Sequence, residues 1–215
     1  MRDKAADAAQ MEIKRNDFLK TGFRLFSEKS IETVTLTQVA EAAGYGQTTM
    51  YRYFDKKPGF VVAVATWKWE QFQEENKKRR PSVDFEGMTA AEVFGFYLDS
   101  FLELYRNHKD LLRFNQFFNV YMLSEHIDAG TLQPYQEMIE HLKERFHIMY
   151  ARAEQDHTIR TDEPEDKMFS KTLHLMLASV TRYAVGLVYT PVGVFDPEEE
   201  LLFLKNMLIE KYTGA

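Results

Sequence analysis

Between Gln47 and Lys57 the chain reads QTTMYRYFDKK. Gln47, Thr48, Thr49 and Arg52 carry amides, hydroxyls and a guanidinium, the groups that hydrogen-bond base edges and phosphate oxygens. Tyr51, Tyr53 and Lys57 stand towards the edges and end of the same stretch. No Asp or Glu interrupts Gly44–Phe54, so nothing there repels a phosphate. The chemistry on offer is recognition of a nucleic-acid duplex, provided that these side chains share one outer face.

The preceding residues supply that face. Thr35 is a good N-cap, Gln38 three residues later completes a capping box, and Val34 with Val39 is placed for a hydrophobic staple. A short helix of about 36–43 follows, with Leu36, Val39, Ala40 and Ala43 along one side. Gly44 suits the left-handed position at its end. A second helix starts near Gln47, with Met50, Tyr51 and Phe54 expected to face the core. A capped helix, a Gly turn and a second short helix make a helix-turn-helix. A plain helical hairpin has the same outline; the polar, acid-free face of the second helix favours DNA.

The segments FLKTGFRLF, TLTQVAEAAG and YGQTTMYRYFDKK, within Phe18–Phe60, resemble the DNA-binding domain of the TetR family of transcriptional regulators. The resemblance covers about the first quarter of the chain, and the total length also fits. It implies that Thr35 and Tyr51 touch phosphates, that Gln47, Thr48, Thr49 and Arg52 lie in the major groove, and that Lys57 pins a phosphate. Thr37 and Tyr53 complete the expected DNA-facing set. The chain departs from the family pattern at Gly22, where Ala is usual, at Ser30 and Gly46, where Gly and Ser are usual, and at Pro58-Gly59.

Composition is consistent with that reading. The net charge is −6, but residues 1–60 hold ten Lys or Arg against eight Asp or Glu, a net +2, leaving −8 on the rest. A weakly basic head on an acidic body predicts few phosphate contacts per subunit, and so reliance on a dimer. The absence of Cys excludes disulfides and thiolate chemistry. No apolar run approaches a membrane span and the N-terminus is polar, from which a cytoplasmic protein is expected.

The remaining helices follow from apolar periodicity and caps. A first helix over about 11–28 places Ile13, Phe18, Leu19, Phe23 and Phe26 on one face, with residues 1–10 as a frayed extension. A fourth, from an Asp55 cap to about Arg79, carries Phe60, Val61, Val64, Trp67 and Phe72; Lys77–Arg80 reads as solvated C-terminal charge favourable to the helix dipole. Residues 81–88 form a loop. Five further helices are expected over about 90–106, 109–121, 134–154, 166–189 and 197–212, with loops over 124–133 and 155–165 and a stop at Gly214. The expectation is an all-α protein of about nine helices: a three-helix DNA-binding domain in 1–57, a linking helix of about 56–80, and a helical effector-binding and dimerisation domain in 81–215.

Small residues in the eighth helix (Ala178, Ser179, Thr181, Ala184, Gly186) and apolar residues on several sides of the ninth allow close packing. By the resemblance these two helices pair with their copies in a homodimer, which matches a palindromic double-stranded operator. Tyr97, Phe101, Tyr105, Phe114, Phe118, Tyr121, Phe146, Tyr150, Met176 and Tyr183 are the candidates to line a pocket for a largely apolar or aromatic effector. His174 and Arg182 are either polar points of that pocket or, respectively, a core histidine and a surface arginine. Glu137, His141 and Glu144 share a helix face, which reads as solvated surface rather than as a metal site. No phosphate loop or nucleophile–base pair is legible, so no cofactor and no enzymatic activity are expected. The function indicated is a transcriptional repressor released from DNA by a small effector; a helical enzyme or structural helical protein is the alternative class.

Overall fold

The computed structural model describes residues 4–79, 85–187 and 195–213, without the side chains of Lys4 and Ala5. The expected loop from Pro81 and the stop at Gly214 lie, in whole or in part, outside these residues. The described residues form nine α-helices and one 3-10 turn, with no strand among them: α1 Lys4–Glu28, the turn Ile31–Thr33, α2 Leu36–Ala42, α3 Gln47–Tyr53, α4 Lys57–Arg79, α5 Ala90–Asn107, α6 Lys109–Glu125, α7 Ala129–Asp156, α8 Glu165–Val185 and α9 Pro197–Thr213.

The chain folds into two compact units. One comprises Met1–Gln73 and Phe114–Met138, the other Glu74–Arg113 and Ile139–Ala215. Contacts therefore group the start of α4, most of α6 and the start of α7 with the helix-turn-helix, a different partition from the functional division at residues 57 and 81.

In the first unit Phe18, Leu19, Phe23 and Phe26 of α1 are buried as their spacing predicts, but Ile13 is not; it is 59% exposed. The α1 helix begins seven residues before the expected start, and this extension stays exposed from Ala6 to Ile13 because no element of the unit covers it. On α4, Phe60, Val61, Val64 and Phe72 are buried, whereas Trp67 is only partly covered and Trp69 takes the core position. Phe114 of α6 packs against Phe23 at 5.5 Å and Phe26 at 6.4 Å between ring centroids.

Gly22 has a steric explanation. A Cβ there would lie 2.5 Å from Cζ and 2.7 Å from Cε1 of Phe60. That ring cannot retreat, since it is fully buried against Phe54 and Phe26 at centroid distances of 4.7 and 5.8 Å. The Phe60 ring on α4 thus requires the missing methyl on α1.

In the second unit α5, α8 and α9 pack together. The α5 helix opens on the capping box Thr89–Glu92, with the Glu92 backbone donating to Thr89 Oγ1 at 3.3 Å and the Thr89 backbone donating to Glu92 Oε2 at 2.8 Å. At the start of α7, in the first unit, and at the end of α8 the helix limits differ from expectation, and α6 runs on to Glu125. The α7 helix starts at Ala129 because Asp128 caps it, accepting from the Thr131 backbone at 3.0 Å and the Thr131 hydroxyl at 2.7 Å; Pro134 is accommodated early in the helix. The α8 helix stops at Val185 because Gly186 adopts φ +107°, so Gly186 ends the helix instead of lining its packing face.

Gly22→Ala should lower stability by about 1–3 kcal/mol, the range for overpacking a filled core, and Gly22→Ala with Phe60→Leu should recover most of the loss. Urea denaturation of both variants checks this.

A candidate DNA-reading face on the third helix

The face is built from the α2–α3 turn. Thr35 Oγ1 accepts from the Gln38 backbone at 3.2 Å while Gln38 Oε1 accepts from the Thr35 backbone at 2.8 Å, a complete capping box. At the other end of α2, the Tyr45 amide donates to the Ala40 carbonyl at 2.9 Å and the Gly44 amide to that of Glu41 at 3.0 Å. This is a Schellman closure, and it requires the left-handed residue that Gly44 supplies at φ +78°. Gly46 then caps α3 by backbone alone, in extended geometry that any residue could adopt.

The turn is tied to α1. The Tyr45 hydroxyl donates to Asp17 Oδ2 at 2.6 Å, and that bond to a carboxylate raises the phenol's pKa. The Tyr45 and Tyr53 rings lie 5.1 and 5.6 Å from the ring of Phe18. Residue spacing gave no sign of the Tyr45–Asp17 bond, because its partners are 28 residues apart.

With the turn held there, α3 divides cleanly. Met50 is fully buried and Phe54 nearly so, whereas Tyr51 is 46% exposed. Tyr51 therefore does not turn to the core, as one reading of the spacing had it, but outward, as its proposed contact with DNA requires. Gln47, Thr48 and Arg52 are exposed and Thr49 partly so. Thr35 is exposed and Thr37 half-buried on α2. Tyr53 is half-buried because its ring is spent on Phe18.

Lys57 is drawn into the unit. Its Nζ donates to the Glu32 carbonyl at 3.2 Å and lies 5.5 Å from the centroid of the Tyr121 ring. Burial lowers its pKa, partly offset by Glu32 and Glu125. Burial, with the same two carboxylates, pushes Tyr121 up to about 12. Lys57 thus joins the turn before α2, the start of α4 and α6.

The ten aromatic and Met candidates for an effector pocket divide between the two units. Phe114, Phe118 and Tyr121 belong to the first unit. In the second, Tyr97 packs on Phe101 and Phe146 at 5.5 and 5.4 Å, and burial pushes its hydroxyl pKa up. Tyr150 donates to the carbonyls of Thr161 and Glu163. Tyr183 donates to Glu200, which with burial pushes its pKa up to about 12, and its ring lies 6.4 Å from that of Tyr105. Met176 is fully buried. His174 and Arg182 are both exposed. Glu137, His141 and Glu144 are exposed on α7, and no group of three or more metal-ligating side chains occurs among the described residues. No described helix is long and apolar enough to cross a membrane.

Residues 18–64, the stretch that builds this face, match the family model described as bacterial regulatory proteins, tetR family. The likeness to the tetR family thus holds over these residues, about a fifth of the chain. It is 26% identical over 117 residues to the uncharacterized HTH-type transcriptional regulator YerO of Bacillus subtilis (strain 168), a match over 54% of this chain and 37% of that protein. The chain thus spans well under half the length of that relative. The fold is shared with a Saccharomonospora viridis protein solved with choline (TM-score 0.70, 13% identity, 94% of this chain and 98% of the other). It is shared too with AibR, solved with isovaleryl coenzyme A and operator DNA (TM-score 0.62, 17% identity, 91% and 98%). The family and the named relative are transcriptional regulators, not enzymes.

If α3 reads DNA, Gln47→Ala should change base preference at one operator position at a cost of about 1–3 kcal/mol. Tyr51→Ala should weaken binding to all sequences nearly equally, and a reduced salt slope would mark its phosphate contact. Fluorescence anisotropy on a panel of duplexes at several salt concentrations separates the two.

Proposed function

We propose that this chain is a homodimeric transcriptional repressor of the TetR type that reads a palindromic operator through α3 and leaves it when a small, largely apolar or aromatic molecule binds. The observation that carries this reading is the division of α3: Met50 is fully buried while Gln47, Thr48, Tyr51 and Arg52 are exposed, with no carboxylate in the run. A helix seated by one apolar side chain and polar on its outer side can enter a major groove. On this reading residues 1–57 read DNA, with Lys57 offering a phosphate the ammonium donors it does not spend on the Glu32 carbonyl, and the rest of the chain senses and dimerises.

Dimerisation is supported by apolar side chains left uncovered on the last two helices of the second unit. Leu175 and Val185 of α8 and Leu202, Phe203 and Met207 of α9 are all exposed, Phe203 to 66%. Pairing these helices with their copies would bury them. With a head of net charge only +2, two heads are needed to collect enough phosphate contacts for affinity at physiological salt. Release requires only that the effector prefer the conformation that cannot bind DNA, by the factor it is to change affinity. The relatives solved with ligands hold chemically different ones, choline and isovaleryl coenzyme A, so the resemblance alone does not choose the effector.

Selection from a random duplex pool should return a two-fold symmetric sequence with half-sites about one turn, or a multiple of it, apart. Phe203→Glu should give monomers by analytical ultracentrifugation and weaken operator binding on the order of a hundredfold, while its helical content stays unchanged. Enrichment of no sequence by the intact chain would contradict the DNA reading.

A further inference from the structure

Among the described residues of the first unit, two buried hydrogen-bond donors have no partner. They are Trp69 Nε1 and Thr66 Oγ1, both on α4 and three residues apart, hence neighbours on one face. Trp69 is 7% exposed. Burial pushes the Tyr135 phenol up to about 12 against the lowering effect of the nearby Trp69 indole N–H, yet no atom meets hydrogen-bond geometry with that N–H. Around Trp69 the neighbours are aromatic: Tyr135 packs on Phe118 at 4.8 Å, and Trp69 stands edge-on to Phe72 at 6.0 Å.

We propose that Trp69 and Thr66 are the polar contacts of the effector site, and that the effector is a mainly apolar molecule carrying a neutral carbonyl. An indole N–H can only donate, so its partner must accept. One carbonyl oxygen has two lone pairs and can accept from both groups. Both donors are neutral, and a neutral carbonyl satisfies them without bringing a formal charge into the interior. The aromatic surround suits an alkyl or aryl body. The pair also sits where binding can be felt: Thr66 is nine residues beyond Lys57, about 14 Å along the same helix, and that helix begins at the DNA-reading end. This inference rests on the reading of the chain as an effector-responsive regulator, and it places the recognition of the effector on α4, α6 and the start of α7.

The test uses the full chain with Trp67→Phe, which leaves Trp69 as the only indole, since the chain has two Trp. The 15N-labelled indole resonance is followed on addition of butyrophenone and of butylbenzene, probes of similar shape that differ in the carbonyl. The ketone should move the Trp69 N–H downfield and bind on the order of tenfold more tightly than the hydrocarbon. Trp69→Phe should bind both alike, and Thr66→Val should reduce the preference without unfolding the protein. Equal affinity for the two probes in the parent, a ketone preference that survives Trp69→Phe, or an indole resonance that neither probe moves would overturn the proposal. Binding to the selected duplex, measured on the same samples, keeps the two readings apart. Duplex binding without a ketone response removes the carbonyl site and leaves the DNA reading. A ketone response without duplex binding does the reverse.

Discussion

The structure of the helix-turn-helix depends on how abruptly α2 ends. Gly44, in the left-handed region, lets the chain close α2 with two backbone hydrogen bonds and set off again within three residues. Tyr45, carried on that turn, is pinned to Asp17 and packs on Phe18 of α1. Once the turn is held, only one side of α3 can meet the core, and Met50 takes it. The outward set, Gln47, Thr48, Tyr51 and Arg52, is therefore a consequence of backbone geometry several residues upstream. A β-carbon at residue 44 would strain the turn and tilt the whole face.

A second constraint couples this end to helices far along the chain. Phe60 fills the space beside Gly22, Phe114 packs on Phe23 and Phe26, and Lys57 joins the Glu32 carbonyl to the Tyr121 ring. Close packing of this kind is stiff and prefers discrete arrangements to gradual deformation. A molecule held by α4 and α7 would act on the same core that seats α3. That is a physical route by which occupancy could alter DNA affinity without touching the reading face.

Much of the first unit was legible in the sequence because its signals are local. The Thr35–Gln38 box, the Gly44 stop and the 3.6-residue spacing of Phe18, Leu19, Phe23 and Phe26 each act within one or two turns. What was not legible depends on partners distant in sequence. Ile13 continues the apolar pattern of α1 but has nothing in its unit to cover it. Trp67 and Trp69 are chemically alike, and only the packing around α4 decides which is buried. Phe114, Phe118 and Tyr121, grouped from spacing with the effector helices, pack in the core of the first unit, with the helix-turn-helix. Asp128 and Thr131 form a capping pair that the nearby Gly130 and Pro134 obscured, and Gly186 passed for a helix-packing residue until its positive φ showed it to be a stop.

The central claim is that the exposed polar side of α3 meets the duplex. Hydrogen–deuterium exchange of the full chain, with and without a selected operator, tests it most directly. The account predicts that DNA slows exchange in residues 35–57, strongest over Gln47–Tyr53, with the buried α1 segment 18–26 unchanged. Unaltered exchange over α2 and α3, with protection appearing elsewhere on the chain, would contradict it.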